Sequence, residues 1–198
     1  MSELAISQYL LIALIFIWSG FVRSGLGFGG AVLSLPFLLL IHNDALIFLP
    51  VISLQLLFFS GLIFYENYRV RKKYLEQGVS KEGSIDWPYL KKALLIMLVP
   101  KLIGVFGLIT LPSTIMGLII FSIVAVYSVS YIFNKPFKSK YKFFDIIFLM
   151  LGGYVSGTSL IGAPLLTAVF ASHVSKRQLR DTLFALWFIL VSIKVTAF

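Results

Sequence analysis

Three cations stand where water is not expected. Arg23 lies in a glycine-rich break between two apolar stretches. Lys101 follows Pro100 in the middle of an apolar run, and Lys194 lies deep in the last one. A charge at the centre of a lipid-embedded helix costs a few kcal/mol, so such residues usually face a cavity or a partner. No carboxylate occupies comparable depth, since Asp145 and Asp181 sit near the edges of their apolar runs. Cations without matching acids favour an anionic ligand. The competing explanation is snorkelling, in which a long side chain carries its charge to the interface. It weighs equally for Lys194 and less for Lys101. His42 and His173 each close an apolar stretch and read as interfacial caps rather than ligands. Other chemistries lack their groups. With no cysteine, disulfides, thiolate metal sites and thiol nucleophiles are excluded. There is no His-x-x-x-His pair, no pair of buried carboxylates and no Ser/His/Asp grouping. The chain is therefore expected not to be an enzyme and to use no metal or cofactor.

The glycines offer a second kind of chemistry. Gly25-Leu26-Gly27-Phe28-Gly29-Gly30 matches the G-x-G-x-x-G dinucleotide fingerprint, with Asp44 downstream. No strand precedes it and no soluble βαβ unit surrounds it, so dinucleotide binding is set aside. Glycine lets a chain leave helical geometry, and the N–H groups freed at a half-helix N-terminus grip anions. In lipid such exposed backbone is tolerated only where it lines a protected cavity. A second reading is close helix packing, because Gly25-x-x-x-Gly29 and Gly153-x-x-x-Gly157 are small-x-x-x-small pairs. The anion-binding reading is preferred because a second break, Gly152 to Gly162, occupies a corresponding place to Gly20–Gly30.

The elements that must position these residues are membrane helices. Of 198 residues 59% are hydrophobic and 13% charged, with a net charge of +9; a soluble domain carries about 25% charged residues. The charges cluster between apolar stretches at 6–22, 26–41, 46–65, 93–110, 113–133, 143–156, 160–172 and 182–198. Four of these (46–65, 93–110, 113–133 and 182–198) approach the ~20 residues that a bilayer requires. The basic residues are explained by orientation in the membrane, so nucleic acid is not an expected partner. The N-terminal run has no Lys or Arg ahead of it and no small-x-small cleavage site, and so reads as a retained membrane segment.

The loops 66–92 and 134–142 and the segment 173–181 are rich in Lys and Arg, which predicts that all three are cytoplasmic. Segment 143–172 then enters and leaves on one face, as two half-helices meeting at a Gly/Ser break. The same logic makes 6–41 a hairpin opening on the other face. Three full spans separate them, the arrangement of an inverted-repeat carrier. One constant shift along the chain pairs Ile15/Ile147, Phe16/Phe148, Gly20/Gly152, Ser24/Ser156, Gly25/Gly157, Gly30/Gly162, Ala31/Ala163 and Leu33/Leu165. The expected fold is thus an all-α integral membrane bundle. Residues 1–133 form a first repeat of broken hairpin 6–41 plus spans 46–65, 93–110 and 113–133. Residues 143–198 form a second repeat of hairpin 143–172 plus span 182–198, expected to be truncated because the first unit has two further spans.

The run Gly25–Pro36 (GLGFGGAVLSLP), repeated more weakly as Ser156–Leu166 (SGTSLIGAPLL), resembles the sulfite exporter TauE/SafE family of membrane permeases. The resemblance implies a multi-pass cell-membrane permease for sulfite, a sulfonate or a related organosulfur anion. It points to Gly25, Gly27, Gly29, Gly30 and Pro36 in the first unit, and to Gly157, Gly162 and Pro164 in the second. Ser159, Leu160 and Ile161 depart from the family pattern, standing where glycines are expected. With Arg23 and Lys101, these residues form the expected substrate site. The expected partners are a small anion and membrane lipid, with self-association left open. The rival expectation is a non-transporting membrane scaffold or assembly subunit.

Overall fold

The computed structural model describes residues 5–26, 30–76, 84–133 and 142–196. Among them are eight helices and no strand: α1 (Ile6–Leu26), α2 (Gly30–Ile41), α3 (Ala45–Glu76), α4 (Trp87–Thr110), α5 (Ser113–Ile132), α6 (Lys142–Ser159), α7 (Ala163–His173) and α8 (Lys176–Val195). Among the described residues three stretches are long and apolar enough to cross a membrane: Ile6–Arg23, Ala45–Ile63 and Trp87–Thr110. Such helices meet every backbone hydrogen bond internally, as lipid demands. Their outward residues are bare hydrophobics, among them Leu14, Ile17 and Phe21 on α1, Leu54 and Phe58 on α3, and Leu95 and Phe106 on α4. Lipid tails are the natural solvent for such a surface.

Local signals explain where the helices start. Asp86 caps α4, its Oδ1 accepting from the Tyr89 N–H at 3.0 Å, and Pro88 occupies the first turn where a missing N–H is harmless. The Asp86 N–H in turn donates to Thr182 Oγ1 on α8 at 3.0 Å. Gly162 stands at the N-cap of α7, and Pro164 lies in that helix's first turn.

Several boundaries differ from expectation. α1 does not stop at residue 22 but continues through Gly20 and Gly25 to Leu26. At 1.5 Å per residue it is about 31 Å long, enough to cross a bilayer by itself. α2 has only 12 residues, so the first hairpin has one long and one short arm rather than two half-helices. α6 and α7, of 18 and 11 residues, repeat that pattern. The last helix begins at Lys176 rather than residue 182, because the polar segment Lys176–Asp181 is itself helical. Likewise α3 runs on to Glu76, past its apolar part. The 20 residues of α5 fit the expected span 113–133.

The shift that pairs Gly20 with Gly152 reappears in the helix boundaries. Applied to the ends of α2 (30 and 41) it gives 162 and 173, against 163 and 173 for α7. Applied to the end of α1 and the start of α3 (26 and 45) it gives 158 and 177, against 159 and 176 for α6 and α8. The most extensive packing is α4 against α6, followed by α3 against α8. Each short hairpin packs on itself, and α2 also touches α3 and α5.

Candidate functional site

All three expected cations are buried: Arg23 is 2% exposed, and Lys101 and Lys194 are 0% exposed. None snorkels to the surface. Among the described residues no Asp or Glu is buried, so no acid at that depth neutralises them. Their surroundings nevertheless differ in kind.

Lys101 and Lys194 converge on the C-terminal end of α6. Lys101 Nζ donates to the Ser156 carbonyl and to Ser156 Oγ, both at 3.1 Å. Lys194 Nζ donates to the Thr158 carbonyl at 3.1 Å. A helix end leaves its last four carbonyls without helical partners and carries partial negative charge, so ammonium groups are favourable there. Lys101 can reach them because α4 and α6 lie unusually close. A Cβ on Gly157 would collide with the Lys101 carbonyl and sit 2.9 Å from Gly104 Cα. A Cβ on Gly153 would fall 2.8 Å from the Met97 carbonyl. Gly153 and Gly157 therefore serve close packing, with Gly104 as the partner on α4. Beyond Ser159 the chain turns through Leu160, whose φ of 61° is left-handed. A non-glycine residue pays roughly 1–2 kcal/mol for that conformation. Gly162 closes the turn against the Gly152 carbonyl, where no Cβ fits. Pro164 then starts α7.

Arg23 has the opposite setting. It lies in the last turn of α1, over the start of α2. A Cβ on Gly30 would fall 2.8 Å from Arg23 Nη2, 2.9 Å from Arg23 Nε and 2.9 Å from Ser19 Oγ. Among the described residues Arg23 Nε and Nη1, both buried, have no hydrogen-bond partner. A helix N-terminus carries partial positive charge and unsatisfied N–H groups. A guanidinium held there with idle donors is unfavourable unless an anion joins it. The lysine cluster is bonded to protein oxygens, whereas two of the arginine's nitrogens meet none among the described residues.

The expected site residues thus fall into two clusters. Arg23 and Gly30 form one, on α1 and α2, where Gly25 occupies the last turn of α1. Pro36 lies inside α2, half-buried. Gly27 and Gly29 lie outside the described residues. Lys101, Gly157, Gly162 and Pro164 belong with the second hairpin. No extensive contact joins α1 or α2 to α6 or α7 among the described residues, and α3 packs between α2 and α8. Several contributors gave no local signal in sequence. Ser19, Ser156 and Thr158 look like ordinary small polar residues in helices. His173 Nε2 meets Asp145 Oδ2 at 2.7 Å and stacks on Tyr89 at 5.1 Å, tying the free end of α7 to α6 and α4. Comparisons with protein-family models, with characterised proteins and with solved structures gave no match, so the resemblance to the TauE/SafE permeases stands on its motif residues.

Proposed function

We propose that this chain is a multi-pass cell-membrane transporter for a small anion, with sulfite or a sulfonate as the favoured class. The observation that carries the reading is Arg23: a buried guanidinium with two idle nitrogens, aimed at a helix N-terminus within an apolar helical bundle. An oxyanion there would accept from the arginine and from the first-turn N–H groups of α2, an arrangement built for charge-assisted hydrogen bonds. The choice of organosulfur anions rests on the motif resemblance alone. The helix boundaries that match under one constant shift support two related units. In an inverted-repeat carrier such units rock against each other.

Calorimetry of the detergent-solubilised protein tests the site. Sulfite and methanesulfonate should bind, with chloride weaker. Arg23→Gln should lower affinity by roughly 1.5–3 kcal/mol, the range for hydrogen bonds to a charged group. That corresponds to roughly ten- to over a hundredfold in Kd. Equal affinity in the wild type and the variant would move the site away from Arg23.

A further inference from the structure

The anion site at Arg23 has a polarity as well as a charge, and Gln55 on α3 sets it. Gln55 reaches across to α1, where its Nε2 donates to the Phe16 carbonyl at 3.1 Å. Only the amino end of the carboxamide suits that place, because its oxygen there would set two acceptors face to face. Gly20 makes room for the crossing, since a Cβ on it would lie 3.4 Å from Gln55 Nε2. Gln55 Oε1 is thereby turned toward Ser19, whose hydroxyl donates to it at 3.5 Å. A serine hydroxyl has one hydrogen and two lone pairs. With the hydrogen given to Gln55, Ser19 Oγ meets a ligand as an acceptor.

That acceptor stands beside the arginine. Ser19 is completely buried, and its bond to Gln55 is its one hydrogen bond among the described residues. A single point, the place that a Cβ on Gly30 would take, lies 2.9 Å from Ser19 Oγ, 2.9 Å from Arg23 Nε and 2.8 Å from Arg23 Nη2. The charge is as restricted as the polarity. Arg23 brings one positive charge, α2 carries no ionisable side chain, and no Asp or Glu is buried among the described residues. Lys101 and Lys194 are engaged elsewhere, at the end of α6. A monoanion balances the guanidinium, whereas a dianion leaves an excess negative charge buried, which is costly. We infer that the site selects a singly charged oxyanion that carries a hydrogen-bond donor of its own, over dianions and over monoanions that only accept. The inference rests on the anion-transporter reading above and narrows its substrate class. The ligand's oxygens accept from Arg23 and from the first turn of α2, and its O–H donates to Ser19 Oγ. Gln55 is a positioning residue, acting on the ligand through Ser19.

Two stable sulfonates isolate the donor. In 2-hydroxyethanesulfonate an O–H stands where 1-propanesulfonate has a methyl group, and both are monoanions; sulfate supplies the dianion. Calorimetry of the full chain in detergent should find 2-hydroxyethanesulfonate bound roughly three- to tenfold tighter than 1-propanesulfonate, the worth of one hydrogen bond between neutral groups. Sulfate should bind more weakly than either. Ser19→Ala should bring the two sulfonates to equal affinity. Gln55→Leu frees the Ser19 hydrogen to donate, so it should raise the affinity for 1-propanesulfonate and narrow the ratio; weakening of both ligands alike would contradict the positioning role. Equal affinity of the wild type for the two sulfonates, sulfate bound as tightly as they are, or an unchanged ratio in Ser19→Ala overturns the inference and leaves the anion site standing. If monodisperse wild-type protein binds none of the three, nor sulfite, the transporter reading falls with it.

Discussion

Two buried cations of the same charge have opposite energetic roles, and the helix end that each faces decides which. Lys101 sits on carbonyls at a negative helix end and is hydrogen-bonded; Arg23 sits at a positive end, and its Nε and Nη1 meet no partner among the described residues. Replacing Lys101 with Met removes two hydrogen bonds, each worth about 1.5–3 kcal/mol to a charged group. It also removes an ion with no buried acid to pair with, whose desolvation costs several kcal/mol. The second effect should match or exceed the first. Lys101→Met is thus expected to hold or raise the melting temperature in detergent. A large fall in melting temperature would make Lys101 a structural staple. Gly30→Ala tests the other cluster, since its Cβ forces Arg23 and Ser19 to move. Anion affinity should fall while melting changes by about 1 kcal/mol or less, the usual scale of a helix glycine. The cations themselves were legible in sequence, because charges inside apolar runs are rare. Their partners were not: Ser156 lies 55 residues from Lys101, and no local pattern reports such a contact.

At the scale of elements, glycine has two uses, and the structure separates them. Gly157 and Gly104 let α4 and α6 approach until backbone meets backbone, whereas a Cβ on Gly61 of α3 would meet nothing within 4 Å. Gly157→Ala should therefore destabilise by about 1–3 kcal/mol, the cost of overpacking. Gly61→Ala should be neutral or stabilise by up to about 1 kcal/mol through helix propensity. Thermal unfolding of both variants in one detergent checks the pair, and equal shifts would contradict the close-approach account. The helices themselves were largely readable from apolar runs: the expected spans 46–65 and 93–110 fall inside α3 and α4. Expectation fails where glycine reads as a breaker. An interior glycine costs only about 1 kcal/mol, less than leaving backbone groups unpaired in lipid, so α1 continues through Gly20 and Gly25. It also fails where charge reads as a helix end, since Lys, Arg, Gln and Glu are good helix formers. Hence α3 reaches Glu76 and α8 starts at Lys176.

For the whole molecule, the order long helix, short helix, long helix occurs twice, with four boundaries related to within one residue by one constant shift. The proposed inverted arrangement makes a definite topological demand. The segments 66–92, 134–142 and 173–181 must share the cytoplasmic face, because each is rich in Lys and Arg. The native chain has no cysteine, so single cysteines report cleanly. Ser80→Cys and Ser175→Cys should react with an impermeant maleimide from the same side; labelling from opposite sides would break the inverted-hairpin layout. The proposed repeat rests in sequence on eight identities between residues 15 and 33 and their counterparts. The separation of the two clusters was not visible there, because it depends on α3 packing between α2 and α8. The central claim remains movement of an anion through this bundle, and flux measures it most directly. Purified protein in liposomes should take up labelled sulfite well above protein-free liposomes. Uptake should saturate with concentration, be competed by methanesulfonate, and fall roughly ten- to a hundredfold at subsaturating sulfite in Arg23→Gln, following the loss of affinity expected there. Uptake no greater than that of protein-free liposomes, from protein shown to be folded and inserted, would contradict the account.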